Sequence, residues 1–74
     1  MTNQEIETKM TNECGRMIAG AKLPKGALKL VDSILNRHSI DADHHTKLFD
    51  RALIVAHKIN PSLVNFGIRN PLSA

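Results

Sequence analysis

The sequence contains no tryptophan, no tyrosine, only two phenylalanines and a single cysteine, Cys14. One cysteine cannot form an internal disulfide, so we expect a cytoplasmic protein that is stabilised by packing alone. No apolar run approaches the roughly 18 residues that a membrane-spanning helix needs, and no segment resembles a signal peptide. We therefore expect neither membrane insertion nor secretion. The scarcity of aromatic rings also argues against base stacking on a nucleic acid.

Catalytic motifs are missing as well. The sequence has no glycine-rich phosphate loop, no GxSxG elbow and no paired-cysteine redox motif. Cys14 follows Glu13 directly, and the negative charge of this neighbour disfavours a thiolate. We predict that the protein is not an enzyme and that it uses no cofactor.

The 74 residues provide room for one domain, which we place at residues 1–69, followed by a flexible tail at residues 70–74. A chain of this length buries only about 60% of the surface that it exposes when unfolded. Its stability is therefore expected to be marginal. Self-association is a common remedy where neither a disulfide nor a metal is available, so we expect a homo-oligomer, most simply a dimer.

The most strongly periodic segment is residues 41–60, which we predict to be a long helix. Its apolar residues share one broad face that we expect to form the centre of the core. These residues are Leu48, Phe49, Ala52, Leu53, Val55, Ala56 and Ile59. Ile54 falls on the opposite side, in line with Lys47, Arg51 and Lys58 at positions i, i+4, i+7 and i+11. A lone isoleucine among cations is unusual on a solvated surface.

Two amphipathic helices are predicted before this long helix. Thr2 to Glu5 fits a capping box, and Gly20 is placed to end the first helix in a left-handed conformation. The second helix is expected from Pro24 or Lys25 to Arg37. The expected core positions are Ile6, Met10, Cys14, Met17 and Ile18, followed by Ala27, Leu28, Leu30, Val31, Ile34 and Leu35. The pattern predicts an all-α fold, a small three-helix bundle in which two amphipathic helices pack on the long third helix.

The C-terminal segment allows two interpretations. Val64, Phe66 and Ile68 alternate with polar residues or glycine, which is typical of an extended strand. Asn60 could instead cap a short helix with Pro61 at its first position. We leave both a short C-terminal helix and an extended segment open for residues 62–69.

Three of the four histidines and two aspartates lie within residues 37–45, where a metal site has to be considered. His44 and His45 would project about 100° apart on a helix, and His57 is three turns further along, so these residues do not converge on one ion. Asp41 is better explained as a helix cap, and Asp43 as an acid that complements the helix dipole. We predict no metal site.

Charge is distributed unevenly along the chain. Residues 1–15 carry a net charge of −2, whereas residues 16–37 carry +4. The basic residues that could hold an anion are Lys22, Lys25, Lys29 and Arg37. A helix-turn-helix reader of DNA is disfavoured, because the long helix begins with Asp41 and Asp43, which phosphates would repel.

Two functions therefore remain as hypotheses, and the alternative without a further role is that Ile54 buries against another copy of the chain in a homo-oligomer. The first is a small regulatory or inhibitory protein, of the kind that phages and mobile elements encode, which docks on a larger protein through Ile54 and its basic neighbours Lys47, Arg51 and Lys58. The alternative is an anion-binding module that holds nucleic acid or a small nucleotide on the basic patches, possibly between subunits.

Overall fold

The computed structural model of the protein describes residues 3–72, which form three α-helices and one short 3-10 helix. Helix α1 is Asn3–Gly20, α2 is Pro24–His38 and α3 is Ala42–Ile59, and the 3-10 helix is Pro61–Phe66. Within these described residues there is no strand. The predicted all-α class and three-helix bundle are confirmed.

Helices α1 and α3 form the most extensive pairing in the bundle. Glu7 contacts His44 near the start of both helices, and the side-chain amide of Asn60 donates to the carbonyl of Ala19 near their ends. The two helices are therefore parallel. Because short loops join consecutive helices, α2 runs in the opposite direction and packs against both of them.

The core draws side chains from all three helices and from the segment that follows them. Its buried apolar residues are Cys14, Ile18, Val31, Leu35, Leu48, Ala52, Leu53, Ala56, Leu63 and Ile68. Full burial of each leucine or isoleucine contributes about 1.5–3 kcal/mol relative to exposure. The long predicted helix thus supplies the centre of the core, as its periodicity indicates.

The buried face of α1 differs from the predicted one. Ile6 and Met17 were expected in the core but are 44% and 37% exposed. Thr11 and Gly15 are buried in their place. The Thr11 hydroxyl donates to the backbone carbonyl of Glu7 at 2.9 Å, so this polar side chain is satisfied within its own helix and can face the core.

Two more residues assigned to the core lie on the surface. Leu30 of α2 is 53% exposed, and Ile59, the last residue of α3, is 55% exposed. A bundle of three short helices covers each helix on one side only, so the outermost residues of a broad apolar face remain accessible to water.

The helix ends confirm some capping predictions and correct one. Asp41 caps α3 by accepting a hydrogen bond from the backbone N–H of His44 at 2.8 Å, and Pro24 occupies the first turn of α2. Gly20, however, is the last helical residue of α1, and Gly67 is the glycine with a positive φ among residues 3–72. The predicted cap at Thr2 lies outside the described residues.

The strand interpretation of the C-terminal segment is wrong, because Pro61–Phe66 is a 3-10 helix. The Asn60 side chain accepts from the N–H of Ser62 at 3.1 Å, and Pro61 takes the first position. This local capping satisfies the backbone, whereas a strand would need a neighbouring strand that residues 3–72 do not offer.

Beyond the 3-10 helix the chain turns back onto α3. The buried imidazole of His57 donates from Nε2 to the carbonyl oxygen of Arg69 at 3.0 Å, and the Arg69 side chain pairs with Asp50 at 2.6 Å. Ile68, the residue before Arg69, is buried. Of the predicted flexible tail, residues 70–72 form a turn in which Asn70 accepts from the N–H of Leu72, and residues 73 and 74 lie outside the described part.

Gly15 allows the close approach of α1 to α3. A Cβ atom at this position would lie 2.5 Å from Val55 Cγ1 and 2.9 Å from the carbonyl oxygen of Ala52. We expect Gly15→Ala to lower the free energy of unfolding by about 1–2 kcal/mol, because the clash with the backbone exceeds the gain in helix propensity. Chemical denaturation measures this change. Gly20→Ala is the matched control, since a Cβ there meets nothing within 4 Å. Equal stabilities of the two variants would contradict the close packing.

His57 anchors the C-terminal segment. We expect His57→Ala to destabilise the protein by about 1–3 kcal/mol, because the substitution leaves a cavity and removes the donor of the Arg69 carbonyl. The expected signature in hydrogen exchange is faster exchange of the Ile68 amide. His38→Ala, at an exposed position, is expected to leave both quantities unchanged. A similar loss of stability in the two variants would argue against this anchor.

Candidate functional site

The α3 stripe is the set Lys47, Arg51, Ile54 and Lys58. The structure places all four on the side of α3 that faces away from the buried Ala52 and Ala56. The three cations are exposed, and Ile54 is partly exposed and lies outside the buried core. The stripe is therefore a surface feature whose apolar centre is only partly accessible.

Arg51 links this stripe to α1. Its guanidinium donates to the Thr8 hydroxyl at 3.1 Å and lies 4.0 Å from the Glu7 carboxylate. The Thr8 hydroxyl in turn donates to the carbonyl of Gln4. These contacts hold one cation of the stripe in position, so less side-chain entropy is lost when a partner binds there.

The four residues of the alternative anion site do not come together. Lys22 precedes α2, and Lys25 and Lys29 lie in its first two turns. Arg37 is twelve residues beyond Lys25, which is about 18 Å along the helix axis. No side chain caps the start of α2, where Leu23 occupies the N-cap position. The structure thus places three lysines at one end of α2 and leaves Arg37 at the other end.

The paired histidines face different helices. His44 Nε2 lies 3.1 Å from a Glu7 carboxylate oxygen on α1, and His45 Nε2 lies 2.9 Å from Asp32 on α2. The second contact is short but is not aligned as a hydrogen bond. Across residues 3–72, no three histidine, cysteine or carboxylate side chains are grouped as metal ligands would be.

His44 also has a defined tautomer. Its Nδ1 accepts from the backbone N–H of Ile40 at 3.2 Å, so the ring proton of the neutral form is on Nε2, which donates to Glu7. Both ring nitrogens are therefore engaged in structural contacts. The sequence offers no local signal for the pairing with Glu7, because the two residues are separated by 37 positions.

Cys14 is the one nucleophilic thiol of the chain, and it is buried. Burial raises the pKa of the Cys14 thiol, and the negative charge of Glu13 raises it further. A raised pKa means that less thiolate is present at any given pH. The environment of Cys14 is therefore the opposite of the electropositive surroundings of a catalytic cysteine.

The reactivity of Cys14 tests this conclusion. We expect the native protein to react with a disulfide reagent about tenfold or more slowly than the protein unfolded in guanidinium, because burial limits both access and ionisation. Absorbance of the released thiolate measures both rates. Equal rates under the two conditions would show that Cys14 is accessible.

Comparisons with protein-family models, with curated proteins and with solved structures find no match for this chain. Among the described helices, none combines the length and the apolar character that crossing a bilayer requires. The function is therefore inferred from the exposed residues and from their charges.

Proposed function

We propose that the protein is a small regulatory or inhibitory binding protein that docks on a larger protein through the α3 stripe. The observation that carries this proposal is the accessible Ile54, which lies among the exposed cations Lys47, Arg51 and Lys58. An apolar anchor with a charged rim is the usual plan of a protein interface. The partner that fits this surface has an apolar pocket bordered by carboxylates.

The charge of the α3 stripe favours a different protein over a second copy of this chain. In a two-fold symmetric dimer, each subunit contributes the same surface patch to the interface. Two stripes of positive charge would repel each other across such an interface, whereas an acidic partner would be attracted. This supports a role in binding a partner.

The expected strength of docking follows from the few groups involved. Ile54 is already partly buried in the monomer, so covering the rest of its side chain contributes at most about 1 kcal/mol, similar to one solvent-exposed ion pair. The four groups therefore make comparable contributions to the contact energy, and the three cations also accelerate association and select the partner.

The anion-binding alternative ranks second. It is supported only by Lys22, Lys25 and Lys29 at one end of α2, since Arg37 lies too far away to share a small anion with them. Retention of nucleic acid or nucleotide by the protein would favour this alternative over docking on a protein.

Affinity capture from a lysate of the source organism tests the proposal. We expect a specific protein to be retained with and without nuclease, and we expect Ile54→Asp to reduce its retention about tenfold or more, because a charge replaces the apolar anchor. The matched control is Ile59→Asp, which changes an exposed isoleucine of the same helix. Circular dichroism shows whether both variants remain folded.

A second variant covers the case in which Ile54→Asp disturbs folding. Lys58 is exposed, so Lys58→Glu preserves the core while it reverses one charge of the rim. We expect this variant to bind more weakly, and we expect the difference from the wild type to shrink as salt is added. Unchanged capture by Ile54→Asp and by Lys58→Glu would exclude the α3 stripe as the docking surface.

A further inference from the structure

Helix α1 has an exposed apolar stripe in addition to its buried face. Ile6, Met10 and Met17 follow each other at intervals of four and seven residues. Ile6 and Met17 are more than a third exposed, and Met10 is partly buried. At about 100° per residue, this stripe lies about 170° around α1 from Thr8 and Gly15, the residues that contact α3. It therefore faces away from α3.

Helix α2 has a matching stripe. Leu23, Ala27, Leu30 and Ile34 recur at intervals of four, three and four residues. Leu23, just before the helix, is 78% exposed and Leu30 is 53% exposed. This stripe lies on the edge opposite Asp32, which contacts His45 of α3.

Because α1 and α2 pack against each other, their outward stripes lie side by side on one face of the bundle. At one end of this face, Ile6 and Met10 line a groove that is bordered on its other sides by His38, Ile40 and the paired Glu7 and His44. Ile40 is 84% exposed. Leu23 lies at the other end. The α1–α2 face is defined here as the two stripes together with Ile40.

The length and extent of this face suit a protein interface. Each stripe extends over about three helical turns, or about 17 Å, and a stable interface buries about 800 Å² on each partner. That area is about a sixth of the 5076 Å² surface of the described chain. The outer sides of two of the three helices are large enough to supply it.

Each stripe also contains one charged residue, and the two charges are opposite. Glu13 lies between Met10 and Met17 in the α1 stripe, and Arg37 follows Ile34 by three residues in the α2 stripe. A two-fold axis parallel to the helices would place α1 of one copy on α2 of the other. Glu13 and Arg37 differ by about 9 Å in height along the bundle, so they do not face each other directly, but the face carries one charge of each sign.

From this arrangement we infer that the α1–α2 face binds a second copy of the chain. Two copies of α1 and two of α2 then form a four-helix bundle in which neighbouring helices are antiparallel. The spacing of four and three residues in α2 is the one that helices use in such bundles. Both signs of charge are present on this face, so two copies of it do not repel each other as two α3 stripes would. The dimer would leave the α3 stripes of both copies available for a partner.

Sedimentation equilibrium of the full chain tests this inference. The wild type is expected at twice the monomer mass of 8.2 kDa. Leu30→Glu is expected to sediment as a monomer with unchanged helicity. About half of the Leu30 side chain is exposed in the monomer, whereas the dimer would bury it fully. The matched control is Ile59→Glu, which alters an equally exposed isoleucine outside the α1–α2 face and is expected to remain dimeric.

Three results would overturn the inference as a whole. These are a wild-type chain that sediments as a monomer up to millimolar concentration, dissociation caused equally by Ile59→Glu, and a dimer that Leu30→Glu leaves intact. Partner capture separates this inference from the proposed function, since monomeric Leu30→Glu should still retain the partner. Loss of the partner in Leu30→Glu, but not in Ile54→Asp, would assign the α1–α2 face to the partner instead.

Discussion

The close approach of α1 to α3 at Gly15 is the contact on which the arrangement of the bundle depends. Without a side chain at this position, the α1 backbone lies directly against Val55 and the Ala52 carbonyl. This close approach brings the two parallel helices near enough for Thr8 to meet Arg51 and for Ala19 to meet Asn60. A bulkier residue at position 15 would separate the helices and weaken every one of these contacts.

The small core also determines what is left on the surface. Ten apolar side chains are buried, yet several large ones, among them Leu23, Leu30 and Ile40, remain exposed. A short chain has too little volume to enclose all of its apolar residues. Some of the exposed apolar residues lie on the side of α1 and α2 away from α3, and others lie at the end of α3 and in the C-terminal segment, namely Ile59, Val64, Phe66 and Leu72. The α3 stripe instead presents cations around Ile54, so it differs from the α1–α2 face in charge and location.

The histidines serve as connections between elements. His44 joins α3 to α1, His45 contacts Asp32 of α2, and His57 holds the segment that contains Arg69. Each imidazole is engaged with a different part of the chain. His44 and His45 are adjacent in the sequence, but the helix directs them to different neighbours. His57 holds the C-terminal segment that contains the buried Ile68.

The sequence by itself determined the helical class, the approximate bounds of all three helices, the Asp41 cap and the position of the α3 stripe, because periodicity and capping depend on near neighbours. The tertiary structure alone decided that Thr11 and Gly15 of α1 are buried while Ile6 and Met17 are exposed. The local Asn60 cap and Pro61 offered a short helix at residues 61–66 as one of two alternatives, and the structure contains that helix. The burial on α1 and the contact of Glu7 with His44 depend instead on which helix edges meet, and that is set by contacts between residues distant in the sequence.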